Sequence, residues 1–287
     1  MMNFALLAEI IADSVFDSLS LFPFLFVTYL VLEYIERHAK EKSLDLIGNA
    51  GKWGPFAGGL AGLVPQCGFA AAAANFYAVR AISTGTLLAV LLSTSDEMLP
   101  IMFSNSVPFS VMAKVLGLKL IVGISAGVLC DIFWRHPKAM VNVESLCEQD
   151  DCHCENGNIA KPALKHTLKI TLFIFCVTLV LNWILAVFDG KFIHVLVFDN
   201  PVLGPIIAAF VGLVPNCSSS VVITQLWVDG VINFGSLFSG VLAGGGVGLL
   251  VLFRVNRNRR DNFKIMALLY FSAAISGIFA ELLHINL

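Results

Sequence analysis

Charged residues are scarce in this chain: they make up 13% of its 287 residues, whereas hydrophobic residues make up 57%. So few polar side chains cannot cover a water-soluble globule of this size. The formal net charge is −2, and no basic stripe interleaves with aromatic residues, which argues against a nucleic-acid partner. The composition therefore predicts an integral membrane protein that is surrounded by lipid.

Motifs of several other protein classes are also missing. The chain has no nucleotide-binding motif, and no Cys-x-x-Cys pair or quinone-site signature of a thiol oxidoreductase. Its seven cysteines are odd in number and lie mostly in apolar segments, unlike the disulfide framework of a small secreted domain. The apolar start lacks a cationic leader, so we expect no cleaved signal peptide. We expect a protein that is not an enzyme and uses no cofactor.

Long apolar runs dominate the chain instead. Six of them are long enough to cross a hydrocarbon core about 30 Å thick. These six runs are 15–34, 84–103, 112–134, 168–188, 232–253 and 265–283. Two further runs, 55–79 and 205–228, are each interrupted by a proline. The polar linker 135–165 divides the chain into a first membrane repeat, 1–134, and a second, 166–287.

The two membrane segments are predicted to be copies of one unit. The motif GLVPQC, which ends at Cys67, recurs 150 residues later as GLVPNC, which ends at Cys217. Further positions match at the same separation without a gap: Gly85 with Gly235, Lys114 with Lys264, Gly127 with Gly277, and Asp131 with Glu281. Membrane composition alone would match apolar runs but not paired proline, cysteine and glycine positions. The pattern indicates an internal repeat.

The distribution of lysine and arginine, which accumulate in cytoplasmic loops, predicts how the repeats are oriented. If both proline-interrupted runs crossed the membrane, there would be eight crossings and the basic linker would face outside. If each enters and returns to one side, the basic clusters share one face. The loop after Phe103 is nearly uncharged, whereas its counterpart after Phe253 is RVNRNRR. We therefore predict an all-α integral membrane protein with two inverted-topology repeats, six membrane crossings and two re-entrant helical hairpins, ten helices in all.

Each hairpin would turn at a proline near the membrane midplane. Residues 55–64 would rise about 15 Å as a helix, half of the hydrocarbon core. Backbone groups freed by the proline need polar partners, and midplane sites of broken helices are typical of secondary transporters. The candidate substrate-binding residues are Pro65, Gln66, Cys67 and Gly68 at the first tip and Pro215, Asn216, Cys217, Ser218, Ser219 and Ser220 at the second.

The paired cysteines supply the chemistry of these tips. A thiol at a helix N-terminus is biased toward thiolate, which binds soft metals and metalloids. A buried cysteine is otherwise a small apolar filler, and serines in membrane helices often bond to their own helix, so both interpretations stay open. Small side chains at 70–74 and 244–248 favour close helix packing. Asn75 and Gln225 are expected to bridge helices.

Polar residues also interrupt the apolar run 84–103, where Ser95, Asp96 and Glu97 fall midway. Carboxylates inside a membrane are typically cation ligands or proton carriers. The equivalent residues of the second repeat are small or apolar, so only one half would supply the charge. Two alternatives are a crossing that begins later and a neutralising contact with Lys119.

The polar linker is predicted to face the cytoplasm and to capture metal. Thiolates, an imidazole and carboxylates lie close together there and suit soft or borderline cations. The candidate ligands are Cys147, Asp150, Asp151, Cys152, His153, Cys154 and Glu155. Their spacing fits no standard zinc module, and the alternative is a solvated linker.

These motifs resemble those of the ten-transmembrane heavy-metal exporter family, whose members are also labelled arsenic efflux or manganese transporters. The resemblance rests on the two GLVPxC hairpins, the linker that runs into KPALKHTLKITLF, and the closing GSLFSGVLAGGGVGLLVLFRVNRN. The motifs are also similar, more distantly, to those of the organoarsenical permeases. The resemblance implies that the paired Pro-x-Cys elements and the linker bind metal, although this linker is poor in histidine.

The sequence thus predicts a secondary active transporter that exports a heavy-metal or metalloid species, such as an arsenical, manganese or another divalent metal. Protons moving through Asp96 or Glu97 would drive export. We expect a multi-pass protein of a prokaryotic cytoplasmic membrane with both termini outside, and whether it forms a homo-oligomer stays open. The alternatives are an organic-solute transporter of the same architecture and an intramembrane thiol oxidoreductase in which Cys67 and Cys217 form a disulfide.

Overall fold

The computed structural model describes residues 53–64, 67–95, 98–134, 201–215 and 217–283, with scattered helical residues between 15 and 30 and between 164 and 180. All regular secondary structure in these residues is helical. The described ranges contain ten successive helices: α1 Gly54–Gly62, α2 Cys67–Ala78, α3 Thr84–Ser93, α4 Met98–Ser104, α5 Phe109–Phe133, α6 Leu203–Gly212, α7 Cys217–Val228, α8 Phe234–Ala243, α9 Gly246–Val255 and α10 Arg259–Leu282.

The helices of the second half begin and end close to 150 residues after those of the first. The bounds of α2 match those of α7 to the residue, and those of α3 match those of α8. The bounds of the other helix pairs agree within two residues. Arg80 and Gly230, which stand at equivalent turns, both have positive φ, 62° and 72°. Local chain geometry therefore follows the separation that the motifs predict.

Four helical segments are long and apolar enough to cross a membrane: Thr84–Ser104, Phe109–Phe133, Phe234–Val255 and Arg259–Leu282. They correspond to four of the six predicted crossings. The other two, 15–34 and 168–188, lie largely outside the described residues. An all-helical membrane protein is therefore confirmed.

Two of these crossings are broken, whereas the apolar pattern predicts that they are continuous. The first is broken between α3, which ends at Ser93, and α4, which begins at Met98. The second is broken between α8 and α9, at Gly244 and Gly245, and Gly246 follows with a φ of +48°. Serine and threonine in the first break and glycine in the second offer the backbone alternatives to the helix.

Helices α3 and α8 form the centre of the molecule. All ten residues of each are buried. Helices α1 and α5 pack around α3, and α6 and α10 pack around α8, while α2 packs on α9 and α7 on α4 across the two halves. The outer faces of α5 and α10 expose large apolar side chains: Phe109, Ile121, Phe133, Phe263, Phe271 and Phe279. These faces suit contact with lipid.

Glycine lets these helices approach closely. A Cβ on Gly127 would lie 2.5 Å from the carbonyl oxygen of Gly85, and a Cβ on Gly277 would lie 2.6 Å from that of Gly235. Between the halves, a Cβ on Gly248 would lie 2.7 Å from the Cβ of Ala70. The small side chains thus form helix contacts, as is common in membrane bundles.

Among the described residues, contacts between polar side chains join the two halves at two places, which we name the arginine end and the amide end. At the arginine end, Tyr77 donates a hydrogen bond of 2.7 Å to Asp261 Oδ2, and Arg80 lies 3.6 Å from the same oxygen. At the amide end, Asn105 Nδ2 donates to Gln225 Oε1 over 3.3 Å. Gln225 therefore bridges α7 and the turn after α4, as expected for a helix-bridging amide.

Replacing Tyr77 with phenylalanine is expected to lower the free energy of unfolding by about 1.5–3 kcal/mol, because it removes a buried hydrogen bond to a charged group. Thermal unfolding of the purified protein measures this effect. The matched control is Tyr270→Phe, which removes a longer bond, 3.3 Å, to the neutral carbonyl of Ile206. Equal losses in the two variants would contradict a special role for Tyr77.

Candidate functional site

The two proline motifs lie where one short helix ends and another begins. Helix α1 ends at Gly62 and α2 begins at Cys67; α6 ends at Gly212 and α7 begins at Cys217. The backbone therefore places each cysteine at the first residue of a 12-residue helix. Backbone N–H groups of a first turn have no partner within their helix, so they favour a thiolate or another anion.

Several candidate residues of these tips lie wholly or partly outside the part of the chain that the structure describes. Pro65, Gln66 and Asn216 are not among the described residues, and neither are the side chains of Cys67, Cys217 and Ser218. Their part in substrate binding therefore stays a prediction.

The described residues at the tips are partly or fully buried. Gly68 and Ser219 are buried, and Pro215 and Ser220 are half-buried. Ser219 Oγ donates to the carbonyl of Val214 over 3.3 Å, and the carbonyl of Ser220 accepts from Thr224 Oγ1 over 2.7 Å. Ser219 thus ties the start of α7 to the segment before it, and substrate binding by these serines stays a prediction.

The break between α3 and α4 is a second polar site in the interior. Thr94 caps α3: its N–H and Oγ1 both donate to the carbonyl of Val90, over 3.0 and 2.8 Å. Ser95 Oγ donates to the carbonyl of Ser93 over 3.1 Å. Both residues are buried. Asp96 and Glu97 follow directly in the sequence but lie outside the described residues, so proton coupling stays a prediction.

Lys119 of α5 reaches this break. Its side chain is 0% exposed, and Nζ donates to the carbonyl of Thr94 and, over 3.1 Å, to the carbonyl of Val241 in α8. The sequence pattern suggests Lys119 only as a counter-charge to an acidic residue. Its position near the middle of a mostly apolar helix of 25 residues is the signal that could have marked it as a site residue.

Carboxylates stabilise the N-termini of both central helices. Asp131 accepts from the N–H of Gly85 over 2.8 Å and from Ser83 Oγ over 2.7 Å. Glu281 accepts from the N–H of Gly235 over 2.9 Å. The pairing of these positions in the repeat therefore has a structural cause, because each acid neutralises unpaired N–H groups at a helix start.

No group of three His, Cys, Asp or Glu side chains that could hold a metal occurs among the described residues. The linker ligands from Cys147 to Glu155 lie outside them, so metal capture by the linker stays a prediction. Of the remaining cysteines, Cys130 is buried in α5, as expected for an apolar filler, and Cys176 is exposed.

Comparison with protein families identifies the class of this bundle. The family described as "Putative, 10TM heavy-metal exporter" matches residues 5–199, which is more than half of the chain. The chain belongs to this family. The match with the heavy-metal exporters spans α1–α5 and ends before α6. No curated protein and no solved structure matches the chain.

Membership of the heavy-metal exporter family agrees with the helical bundle. The family is a transporter class, and the four long apolar helices make the chain a multi-pass membrane protein. A transporter of this family would act on a metal ion within the membrane. The resemblance that the paired motifs indicate is thereby confirmed.

Proposed function

We propose that the chain is a secondary active transporter that exports a heavy-metal or metalloid species by alternating access between two inverted repeats. The observation that carries this proposal is the start of two equivalent short helices at Cys67 and Cys217, each after a proline and an amide, in a member of an exporter family. Such paired broken helices are the usual setting of a transporter's substrate site.

The directions of the long helices support the inversion. Helix α5 begins just after Asn105, which belongs to the amide end. It ends near Asp131, which binds Ser83, and Ser83 closely follows Arg80 of the arginine end. Helix α10 begins at the arginine end, where it contains Asp261. It ends near Glu281, which binds Gly235, and Gly235 closely follows α7, whose Gln225 belongs to the amide end. These contacts support opposite directions for the equivalent helices α5 and α10 between the two ends.

The lengths of the short helices support re-entrant hairpins. Helices α1 and α6 have 9 and 10 residues, and α2 and α7 have 12 each. At 1.5 Å per residue they rise about 14–18 Å, well short of a 30 Å hydrocarbon core. Each pair therefore suits a hairpin that enters the membrane and returns to the same side.

The substrate would lie between Cys67 and Cys217 with the amides of Gln66 and Asn216. Thiolates favour arsenite-like species and soft metals, whereas amide and carboxylate oxygens favour manganese. In this mechanism the linker gathers substrate on the cytoplasmic side of a prokaryotic membrane, and Asp96 or Glu97 carries the proton that drives export. Both termini would face outside.

Replacing both tip cysteines with serine is expected to abolish export. Cells that express the wild-type chain should accumulate at least several-fold less of one species among arsenite, an organoarsenical, manganese, zinc and cadmium, and the Cys67→Ser/Cys217→Ser variant should lose this difference. The matched control is Cys176→Ser, which changes an exposed thiol and should export like wild type.

Each other outcome has a distinct meaning. Wild-type accumulation that matches an empty vector for all five species would contradict metal export and favour the organic-solute transporter. Export that survives in the double variant would refute the role of the cysteines. A disulfide between Cys67 and Cys217 that forms and breaks during turnover would instead support the thiol oxidoreductase.

A further inference from the structure

Lys119 has an unusual place for a charged residue. It is fully buried near the middle of α5, a helix whose outer face is apolar. An ammonium ion buried away from water is costly unless polar groups replace its hydration. The groups that do so here include two backbone carbonyl oxygens, those of Thr94 and Val241.

These two carbonyls belong to the ends of two different helices. Thr94 is the C-cap of α3, and Val241 lies in the last turn of α8, which ends at Ala243. Carbonyls at a helix C-terminus lack intrahelical partners and carry the negative end of the helix dipole. Lys119 therefore lies where the negative ends of both central helices converge, one from each half of the chain.

A buried hydroxyl adjoins the same region. Ser93 Oγ, in the last turn of α3, is buried and has no hydrogen-bond partner in the structure. It contacts the position where a Cβ on Gly123 would lie, one turn from Lys119 along α5. Carbonyl and hydroxyl oxygens are the ligands that hard monovalent and divalent cations take in broken-helix sites.

The second half has no equivalent lysine. The residues 150 positions after Lys119 and Thr94 are Leu269 and Gly244. The part of the chain that the structure describes therefore has one such centre, although both halves contain the helix break.

We infer that the Lys119 ammonium is a tethered cation that occupies a monovalent-cation site formed by the carbonyls of Thr94 and Val241. Resting on the proposed function, the lysine also takes the place of a Na⁺ or K⁺ coupling ion at this helix break, so that transport requires neither. Removing the ammonium exposes the two carbonyls, and a mobile cation then takes its place.

Thermal unfolding of the purified Lys119→Met variant tests this site without any transport substrate. The salts are NaCl, KCl and methylammonium chloride, each against N-methylglucamine chloride at equal ionic strength. The variant should unfold at a lower temperature than wild type in N-methylglucamine. When a cation that fits the site is present at about ten times its dissociation constant, the unfolding midpoint of the variant should rise by roughly 3–6 °C. Wild type should unfold at one temperature in all four salts.

The control is Lys114→Met, which removes an exposed lysine from the same helix and should show no cation-specific rise. Lys119→Gln repeats the test if the methionine variant does not fold. A variant whose midpoint is the same in all four salts overturns the inference. So does recovery that requires Asp96→Asn or Glu97→Gln instead of a cation, since Lys119 would then serve only as a counter-charge.

The cation dependence of transport by the wild-type protein is a second test. Export in N-methylglucamine medium should equal export in Na⁺ or K⁺ medium. A requirement for either ion would overturn the tethered cation even if no Lys119 variant folds. Failure of metal export itself would leave the unfolding result standing, so the two proposals fail separately.

Discussion

Replacing Gly127 with leucine is expected to prevent the chain from accumulating as a folded protein. A Cβ at this position would lie 2.5 Å from the carbonyl oxygen of Gly85, 3.0 Å from the Cβ of Ala89 and 3.1 Å from that of Pro55. These atoms belong to α3 and α1 and are backbone or short side chains, which cannot turn away. Helices α1, α3 and α5 would have to separate, a loss above about 4 kcal/mol.

Size-exclusion profiles of a fluorescent fusion measure this loss in detergent extracts. The matched control is Gly117→Leu on the same helix, where a Cβ would meet nothing within 4 Å. It should keep the monodisperse peak of wild type. Gly277→Leu should fail like Gly127→Leu, because it meets the equivalent backbone of α8. A monodisperse Gly127→Leu protein would contradict the close approach.

Replacing Asp131 with alanine is expected to lower the free energy of unfolding by about 2–4 kcal/mol. The change removes the acceptor for the Gly85 N–H and for Ser83 Oγ, and with it a negative charge at the N-terminus of the buried helix α3. Hydrogen bonds to a charged group contribute about 1.5–3 kcal/mol each, and leaving a buried N–H unsatisfied adds to the loss.

Thermal unfolding of Asp131→Ala, Asp131→Asn and Ser83→Ala separates these contributions. Asparagine keeps an acceptor oxygen but not the charge, so its loss should be intermediate. In Asp131→Ala the further change Ser83→Ala should cost less than Ser83→Ala alone, because the serine has already lost its bond to Asp131 and only the cap bond that it accepts from the Thr86 N–H remains to be removed. Additive losses from the two alanines would refute the shared role.

Much of the bundle follows from local sequence features. Repeated GLVPxC motifs predict where α1 and α6 end and where α2 and α7 begin, since a proline cannot continue the helix before it. Apolar length predicts the four long crossings. The glycine pairs match in sequence because each pair lies at a helix crossing in its own half.

The interior site was less predictable, because it depends on contacts between distant residues. The role of Lys119 requires the carbonyl of Val241, 122 residues further along the chain, and no local pattern shows that α5 passes the end of α8. Likewise, Asp131 pairs with Gly85 across 46 residues. The helix breaks at Thr94 and Gly244 were hidden because apolar neighbours satisfy the length criterion for a continuous crossing.

The polar contacts between the two halves are stronger at the arginine end than at the amide end. Asp261 accepts a hydrogen bond from the Tyr77 hydroxyl and lies near the Arg80 guanidinium at the arginine end, whereas the described residues of the amide end form one bond of 3.3 Å, between the exposed Asn105 and the half-buried Gln225. Thermal fluctuations should therefore separate the two halves far more often at the amide end than at the arginine end. In the export cycle that we propose, the rare release of Asp261 would limit the rate of turnover, and the protein would spend most of the cycle with the arginine end closed.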